Sequence, residues 1–348
     1  MARRQLRLDD TALALAGAVC VEQGPAGDHG PTWLEPWRID ASRQRLFEPA
    51  LIQRQRDAVG VRLSLMSDTT TLAIGVDPCL EVAASEPRDQ WTFDLLVDGV
   101  KHQRVTPDRK PGELVFQGWS AGEHRFELYL YQMSPIRITS VAVDDSAQVR
   151  AFADDRPKWL VYGSSITQCG QAAGPSETWP ALVATELNLN HTNIGYGGNA
   201  NLDLVAARMM AQMPADYISI CFNVNNYGVY TSRIWRAAVI GFILTVREGH
   251  PDVPIACVSP IFSSRFKDTP SKTDMTLPFM REQVADAIDA LRELGDTQLH
   301  YVDGLDVFGP DQAEHMPDGL HPDAQGCRVL AKQYTQRVMP GILDGCKV

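Results

Sequence analysis

A chain of 348 residues, 44% of them hydrophobic, can furnish two cores by the rough guide of about 150 residues per domain, with one large α/β domain as the alternative. Its formal net charge of -11 argues against broad binding to nucleic acid or anionic membrane and points to small-molecule partners. The seven cysteines, at 20, 79, 169, 221, 257, 327 and 346, are odd in number, scattered and free of any Cys-x-x-Cys pair, which suits reduced thiols in a cytoplasm better than a disulfide framework or a zinc site.

At the amino terminus, Arg3-Arg4 ahead of the apolar stretch from Ala12 to Val19 has the outline of a short signal peptide. Asp9 and Asp10 stand in the wrong place for one, and the run continues as Val-Cys-Val-Glu, so it reads as a first strand. Nothing approaches the ~20 apolar residues of a membrane-spanning helix. From there to about Val149, short runs alternate with turn signals: 16–21, 59–66, 70–76, 91–97, 113–117, 124–131 and 136–143. Seven strands with no convincing helix read as an all-β sandwich over residues 1–150. Phe126-Glu-Leu-Tyr-Leu-Tyr alternates in the manner of a sheet with one face buried and one wet, and Asp98-Gly99 and Ala121-Gly122 mark turns. Trp33, Trp37 and Trp119 suit either core packing or stacking on a sugar, and 24–30 reads as a loop.

A linker falls near 144–158, where four aspartates and Pro157 crowd together, and then the rhythm changes. Strand-like runs at 160–162, 191–194, 217–222, 255–258 and 300–302 are separated by helix-length stretches at 178–187, 202–212, 233–248, 277–294 and 323–338. That βαβ pattern predicts a parallel sheet over residues 151–348.

The chemistry is expected where those strands end. Leu160-Val-Tyr runs into Gly163-Ser-Ser-Ile, a tight turn that lifts serines out of the sheet's carboxyl edge, where open α/β sheets bind ligands. The second strand is followed by Gly195-Tyr-Gly-Gly-Asn199, the third by Asn223-Val-Asn-Asn226, and the last helix is preceded by Asp318-Gly-Leu-His-Pro-Asp323. Attack on an ester carbonyl needs a hydroxyl, a base, and a carboxylate to fix the base's tautomer; Ser165, His321 and Asp318 have those types. An Asp three residues before its His can fold back onto one imidazole nitrogen and leave the other for the serine. Developing oxyanion charge needs preset donors, which the backbone N–H of Ser165, that of Gly198 and the side-chain amide of Asn225 can supply.

These four blocks resemble the SGNH, or GDSL, hydrolase superfamily, whose signatures are Gly-Asp-Ser-Leu, a glycine after the second strand, Gly-x-Asn-Asp, and Asp-x-x-His near the end. The resemblance covers about residues 158 to 340. It implies a flavodoxin-like three-layer α/β/α parallel sheet, here preceded by a jelly-roll-like sandwich, and it makes Ser165 the nucleophile, His321 and Asp318 its partners, and Gly198 and Asn225 oxyanion donors. With the sandwich ahead, and with Glu35-Pro-Trp-Arg38 and Asp303-Gly-Leu, the chain resembles a bacterial subgroup of presumed esterases. That subgroup includes an acyltransferase placing a salicylyl group on a tetracycline-type polyketide. Ser164, Asn223 and Asn226 stand where the superfamily has Asp, Gly and Asp, so Asn223 is the second candidate for the oxyanion amide.

The expected function is therefore a serine esterase acting on a small-molecule ester. An acyltransferase using the same groups on an acyl donor and acceptor is the alternative, and an inactive carbohydrate-binding protein the contrasting class. Tyr196, Asn199 and Tyr227, between the blocks, are expected along the substrate pocket. Neither a metal nor another cofactor is expected, because eight dispersed histidines lack His-x-x-x-His spacing and Gly195-x-Gly-Gly lacks the rest of a dinucleotide fingerprint.

Overall fold

The structure, a computed structural model, describes residues 2–28, 30–79, 91–266 and 269–343; Cys346 and His29 lie outside them. The chain divides into two compact units, Met1–Asp155 with Gly174–Ser176, and Arg156–Ala173 with Glu177–Val348. Among the described residues no helix is long and apolar enough to cross a membrane.

The first unit is a sandwich of two antiparallel six-stranded sheets. One has the order Gly112–Gln117, Thr71–Asp77, Arg137–Asp144, Leu34–Trp37, Cys20–Gln23, with Arg3–Gln5 also on Arg137–Asp144. The other runs Val100–Val105, Phe93–Val97, His124–Tyr129, Arg62–Ser67, Val149–Arg150, with Ala14–Ala16 also on Arg62–Ser67. Alternation builds the core: Leu114 and Phe116 are buried while Glu113, Val115 and Gln117 are exposed, and Leu63, Leu65, Phe126 and Leu128 meet them inside. Asp98 and Gly99 both take positive φ, as a two-residue hairpin turn requires.

Several expectations need correction. The stretch 16–21 is not one strand: Gly17, at φ +83°, turns the chain between Ala14–Ala16 and Cys20–Gln23. A helix does exist, Pro49–Gln55, but seven residues are too few to show a period. The outer face of the sandwich is not wet at its middle, because Arg62 and Glu127 are each 1% exposed and face one another at 3.5 Å; a charge withdrawn from water needs such a partner. The three tryptophans are engaged in packing. Trp37 lies under Arg56 and Trp33 under Arg137, while Trp119 tilts onto Phe126 and donates its N–H to the Thr69 carbonyl. Within 24–30, Ala26–Gly27 pairs with Gly30–Pro31 as a short ribbon.

In the second unit five parallel strands, β1 (Lys158–Gly163), β2 (Asn190–Gly195), β3 (Tyr217–Cys221), β4 (Ile255–Val258) and β5 (Leu299–Val302), lie in the order β2-β1-β3-β4-β5. This is the doubly wound flavodoxin-like order, whose switch point lies beside β1. The helices are α1 (Ser165–Gln168), α2 (Trp179–Glu186), α3 (Leu204–Met210), α4 (Ser232–Arg247), α5 (Leu277–Glu293), α6 (Gly304–Val307), α7 (Ala324–Arg337) and α8 (Met339–Leu343). Packing of α2 on α7, and of α3 and α5 on α4, forms two helical layers. The alternation of β1 feeds both: Trp159 and Val161 join the cluster of Trp179 and Tyr334, whereas Tyr162 tilts onto Phe242 of α4. The expected signals start and stop these helices. Asp323 accepts the Gly326 N–H at 2.7 Å to cap α7, and Gly295, at φ +105°, follows α5.

Candidate active site

At the end of β1, a side chain on Gly163 would lie 2.1 Å from Thr167 Oγ1, so only glycine lets α1 fold back over the strand. Ser164 is buried and caps α1, its hydroxyl accepting the Ile166 N–H at 3.5 Å. Ser165 is the first residue of α1, and its Oγ lies 2.9 Å from His321 Nε2. The other imidazole nitrogen, Nδ1, is 2.6 Å from Asp318 Oδ2. Asp318 Oδ1 meanwhile accepts the backbone N–H of Leu320 and of His321, at 2.9 and 2.7 Å. Burial alone raises this carboxyl, but the hydrogen bonds from the His321 amide and imidazole and the Leu320 amide outweigh it and hold the pKa at about 2. An ionised carboxylate can only accept, so Nδ1 donates to it and Nε2 is left to accept from the serine.

The turn carrying acid and base is itself clamped. Gly319, at φ +74°, sits between them. Its carbonyl accepts the Ser263 hydroxyl at 2.6 Å and the Arg265 N–H at 3.2 Å, and its own N–H donates to Met316.

The three expected oxyanion donors are each without a hydrogen-bond acceptor among the described residues. As the first residue of a helix, Ser165 has an N–H without an intrahelical acceptor. Gly198 is exposed at φ +73°, with nothing within 4 Å of the place a side chain would take, and its N–H has no protein partner among the described residues. Asn225 Oδ1 accepts the Ala200 N–H at 3.3 Å, which leaves its NH2 turned away from that bond and without a protein partner among the described residues. The alternative donor, Asn223, is otherwise engaged: its Oδ1 accepts from Asn225 N–H at 2.9 Å and its NH2 donates to Ala200 and Cys221 carbonyls.

Polar side chains that the sequence reading passed over lace these loops together. Gln168 accepts the Gly197 N–H at 2.9 Å, and Asn193 donates to the Thr167 carbonyl at 2.9 Å while accepting the Gly195 N–H at 2.8 Å. Both are buried, as is Ser263. No sequence signal marks these residues, because their burial and their distant backbone partners exist only in the folded chain.

The residues expected along the substrate pocket fare differently. Tyr196 is a correction: it is 0% exposed, its ring edge-on to Tyr162, so it packs beneath the site. Asn199 closes the glycine turn by donating to the Gly197 carbonyl at 2.9 Å. Tyr227 is half-buried, its ring 5.1 Å from Phe266 and its hydroxyl on the Thr269 carbonyl. Cys169, four residues past Ser165, touches Cys327 with sulfurs 2.9 Å apart. That hydrogen bond and burial push the Cys327 thiol up, and burial pushes Cys221 up to about 12, so neither is a nucleophilic thiolate. The six described cysteines are free, and no group of three His, Cys, Asp or Glu among the described residues is arranged to hold a metal ion.

Chemically, this arrangement can move a proton from a hydroxyl to an imidazole backed by a fixed carboxylate. Comparison with known proteins agrees with that chemistry. The model of the GDSL-like lipase/acylhydrolase family matches residues 157–339. A solved salicylyl acyltransferase from a tetracycline biosynthetic pathway is 30% identical, with a TM-score of 0.88 and 97% of each chain covered. A protein from Bacteroides ovatus described as a GDSL-like lipase shares 21% identity at TM-score 0.78 over 98% of each chain. A family two carbohydrate esterase from Cellvibrio japonicus shares 14% at 0.65 over 99% of each. The last two likenesses speak for the fold alone. No curated protein matches by sequence. An enzyme fold, a serine–imidazole–carboxylate line and a family match over the same residues lead to one assignment: the chain belongs to the GDSL-like lipase/acylhydrolase family.

Proposed function

We propose that this enzyme cleaves a carboxylic ester of a small molecule through an acyl-enzyme on Ser165. The observation that carries the reading is the unbroken line from Ser165 Oγ through His321 to Asp318, at 2.9 and 2.6 Å. His321 Nε2 takes the hydroxyl proton as Oγ bonds to the ester carbon. The oxyanion then accepts from Ser165 N–H, Gly198 N–H and Asn225 Nδ2, and imidazolium returns the proton to the departing alkoxide. Water, activated by the same imidazole, releases the acid. The test is hydrolysis of p-nitrophenyl acetate by wild type and Ser165→Ala, together with mass-spectrometric mapping of a fluorophosphonate adduct. Turnover that needs Ser165, with the label on that residue, supports the reading; a wild type that neither turns over nor labels there removes it.

Transfer to an alcohol is the second reading, favoured by the 30% identity over 97% of both chains to a salicylyl acyltransferase. The groups are the same, and only the nucleophile of the second step differs. Partition between new ester and free acid at saturating alcohol acceptor separates the two, and free acid throughout defeats transfer.

A further inference from the structure

Around Gly198 the backbone N–H groups are committed. Gly195 donates to Asn193 Oδ1 at 2.8 Å, Gly197 to Gln168 Oε1 at 2.9 Å, Asn199 to the Tyr196 carbonyl at 2.9 Å and Ala200 to Asn225 Oδ1 at 3.3 Å. A turn that bonds these amides within the protein and leaves the Gly198 N–H open keeps that one donor for an acceptor arriving from outside.

The turn stands against the nucleophile, since a Cβ built on Gly197 would lie 3.7 Å from Ser165 Cβ, in ordinary van der Waals contact. Gly197 and Gly198 carry no side chain that could pack the turn in place, and Gly198 holds φ at +73°. The spacing between turn and serine therefore depends on hydrogen bonds, and one of them reaches α1 itself. Gln168 is the last residue of the helix that Ser165 begins, and it is buried where it accepts the Gly197 N–H. Close packing around a buried side chain fixes its rotamer, so the acceptor oxygen keeps its place. The helix that carries the nucleophile thus also carries the group that spaces the facing turn.

We propose that Gln168 is a positioning residue for the Gly198 oxyanion donor. Its carboxamide holds the Gly197–Gly198 peptide at the distance from Ser165 at which the Gly198 N–H meets the charge developing on the substrate oxygen. The inference rests on the serine acyl-enzyme reading above. Outright loss of an oxyanion donor costs about 10² to 10³ in kcat. A donor that is present but no longer held loses part of that, on the order of tenfold.

The experiment compares wild type with Gln168→Met, which matches the side chain in length but lacks the acceptor oxygen, and with Gln168→Asn, which withdraws that oxygen by one methylene. Steady-state kinetics on p-nitrophenyl acetate are read together with the Kd of methylboronic acid, whose tetrahedral adduct on the serine mimics the oxyanion. In both variants kcat should fall on the order of tenfold at unchanged KM, and boronate affinity should fall by the same factor. A folded variant within about twofold of wild type in kcat overturns the proposal, as does a loss carried by KM or one that spares the boronate. Wild type supplies a test that needs no variant, amide hydrogen exchange read by NMR. The Gly197 N–H, bonded to a buried oxygen, should exchange more slowly than the Gly198 N–H, and equal rates overturn the proposal. The parent reading is scored separately by fluorophosphonate labelling: a labelled Ser165 with unaffected Gln168 variants defeats only the positioning role, and absence of labelling and turnover in wild type defeats both.

Discussion

Gly195→Ala is the substitution whose cost follows most directly from the coordinates. Gly195 ends β2, and a Cβ there would sit 2.4 Å from the Gln168 amide nitrogen and 2.8 Å from the Thr167 carbonyl carbon, where ordinary contact begins at 3.4 Å. Both atoms belong to the backbone of α1, so relief means moving that helix, with Ser165 at its head, by about 1 Å. A misplacement of about 1 Å costs on the order of 10²-fold in rate, or about 2.7 kcal/mol in the barrier. Gly197→Ala is the milder comparison, because its Cβ would press at 2.5 Å on Gln168 Oε1, a side-chain end that yields by giving up its hydrogen bond from the Gly197 N–H while the backbone of α1 stays in place. Initial rates on p-nitrophenyl acetate, normalised to fluorophosphonate-titrated sites and accompanied by thermal melts, give the comparison. A folded Gly195→Ala enzyme within about threefold of wild type in kcat refutes the reasoning, since the serine's position then does not depend on that contact.

Three further outcomes are expected. Asn225→Ala should lower kcat by about 10² to 10³ with little change in KM, the signature of a donor that engages only developing charge, read by steady-state kinetics. Ser263→Ala removes one of two donors to the Gly319 carbonyl; a hydrogen bond worth about 1 kcal/mol predicts about a fivefold fall in kcat at unchanged KM. In the sandwich, the hydrogen bond from His124 to Asp98 raises the imidazole pKa from its ordinary 6.5. The stabilisation it gives is complete below the unfolded value and lost as pH rises through the folded one. Melting temperature should therefore fall across that interval in wild type and less in His124→Gln, as read by thermal melts over a pH series.

The parallel sheet was legible because its strands, covered on both faces, read as short apolar runs between segments of helical period. The pairing of Asp318 with His321 was legible for a different reason: it is local, three residues apart on one turn. Contacts across the fold were not. Gln168, Asn193 and Ser263 each meet backbone atoms 26 to 56 residues away, and no spacing rule announces a polar side chain whose partner is a distant carbonyl or amide. Tyr196 was misread because its place after β2 marks a loop without saying which way the ring turns, and it turns under, onto Tyr162. Arg62 and Glu127 show the same limit in the sandwich, where alternation marks two faces but not which of them meets water.

Because Asp318 and His321 ride on a single short turn anchored at Gly319, the proposed catalytic apparatus has two movable parts instead of three. Drift of that turn opens the gap to Ser165 while leaving the imidazole and carboxylate in register with each other. Damage at a distance then acts like a slipping clutch whose plates stay whole: turnover fades by degrees, and a spectroscopic probe confined to the imidazole and its carboxylate registers nothing wrong.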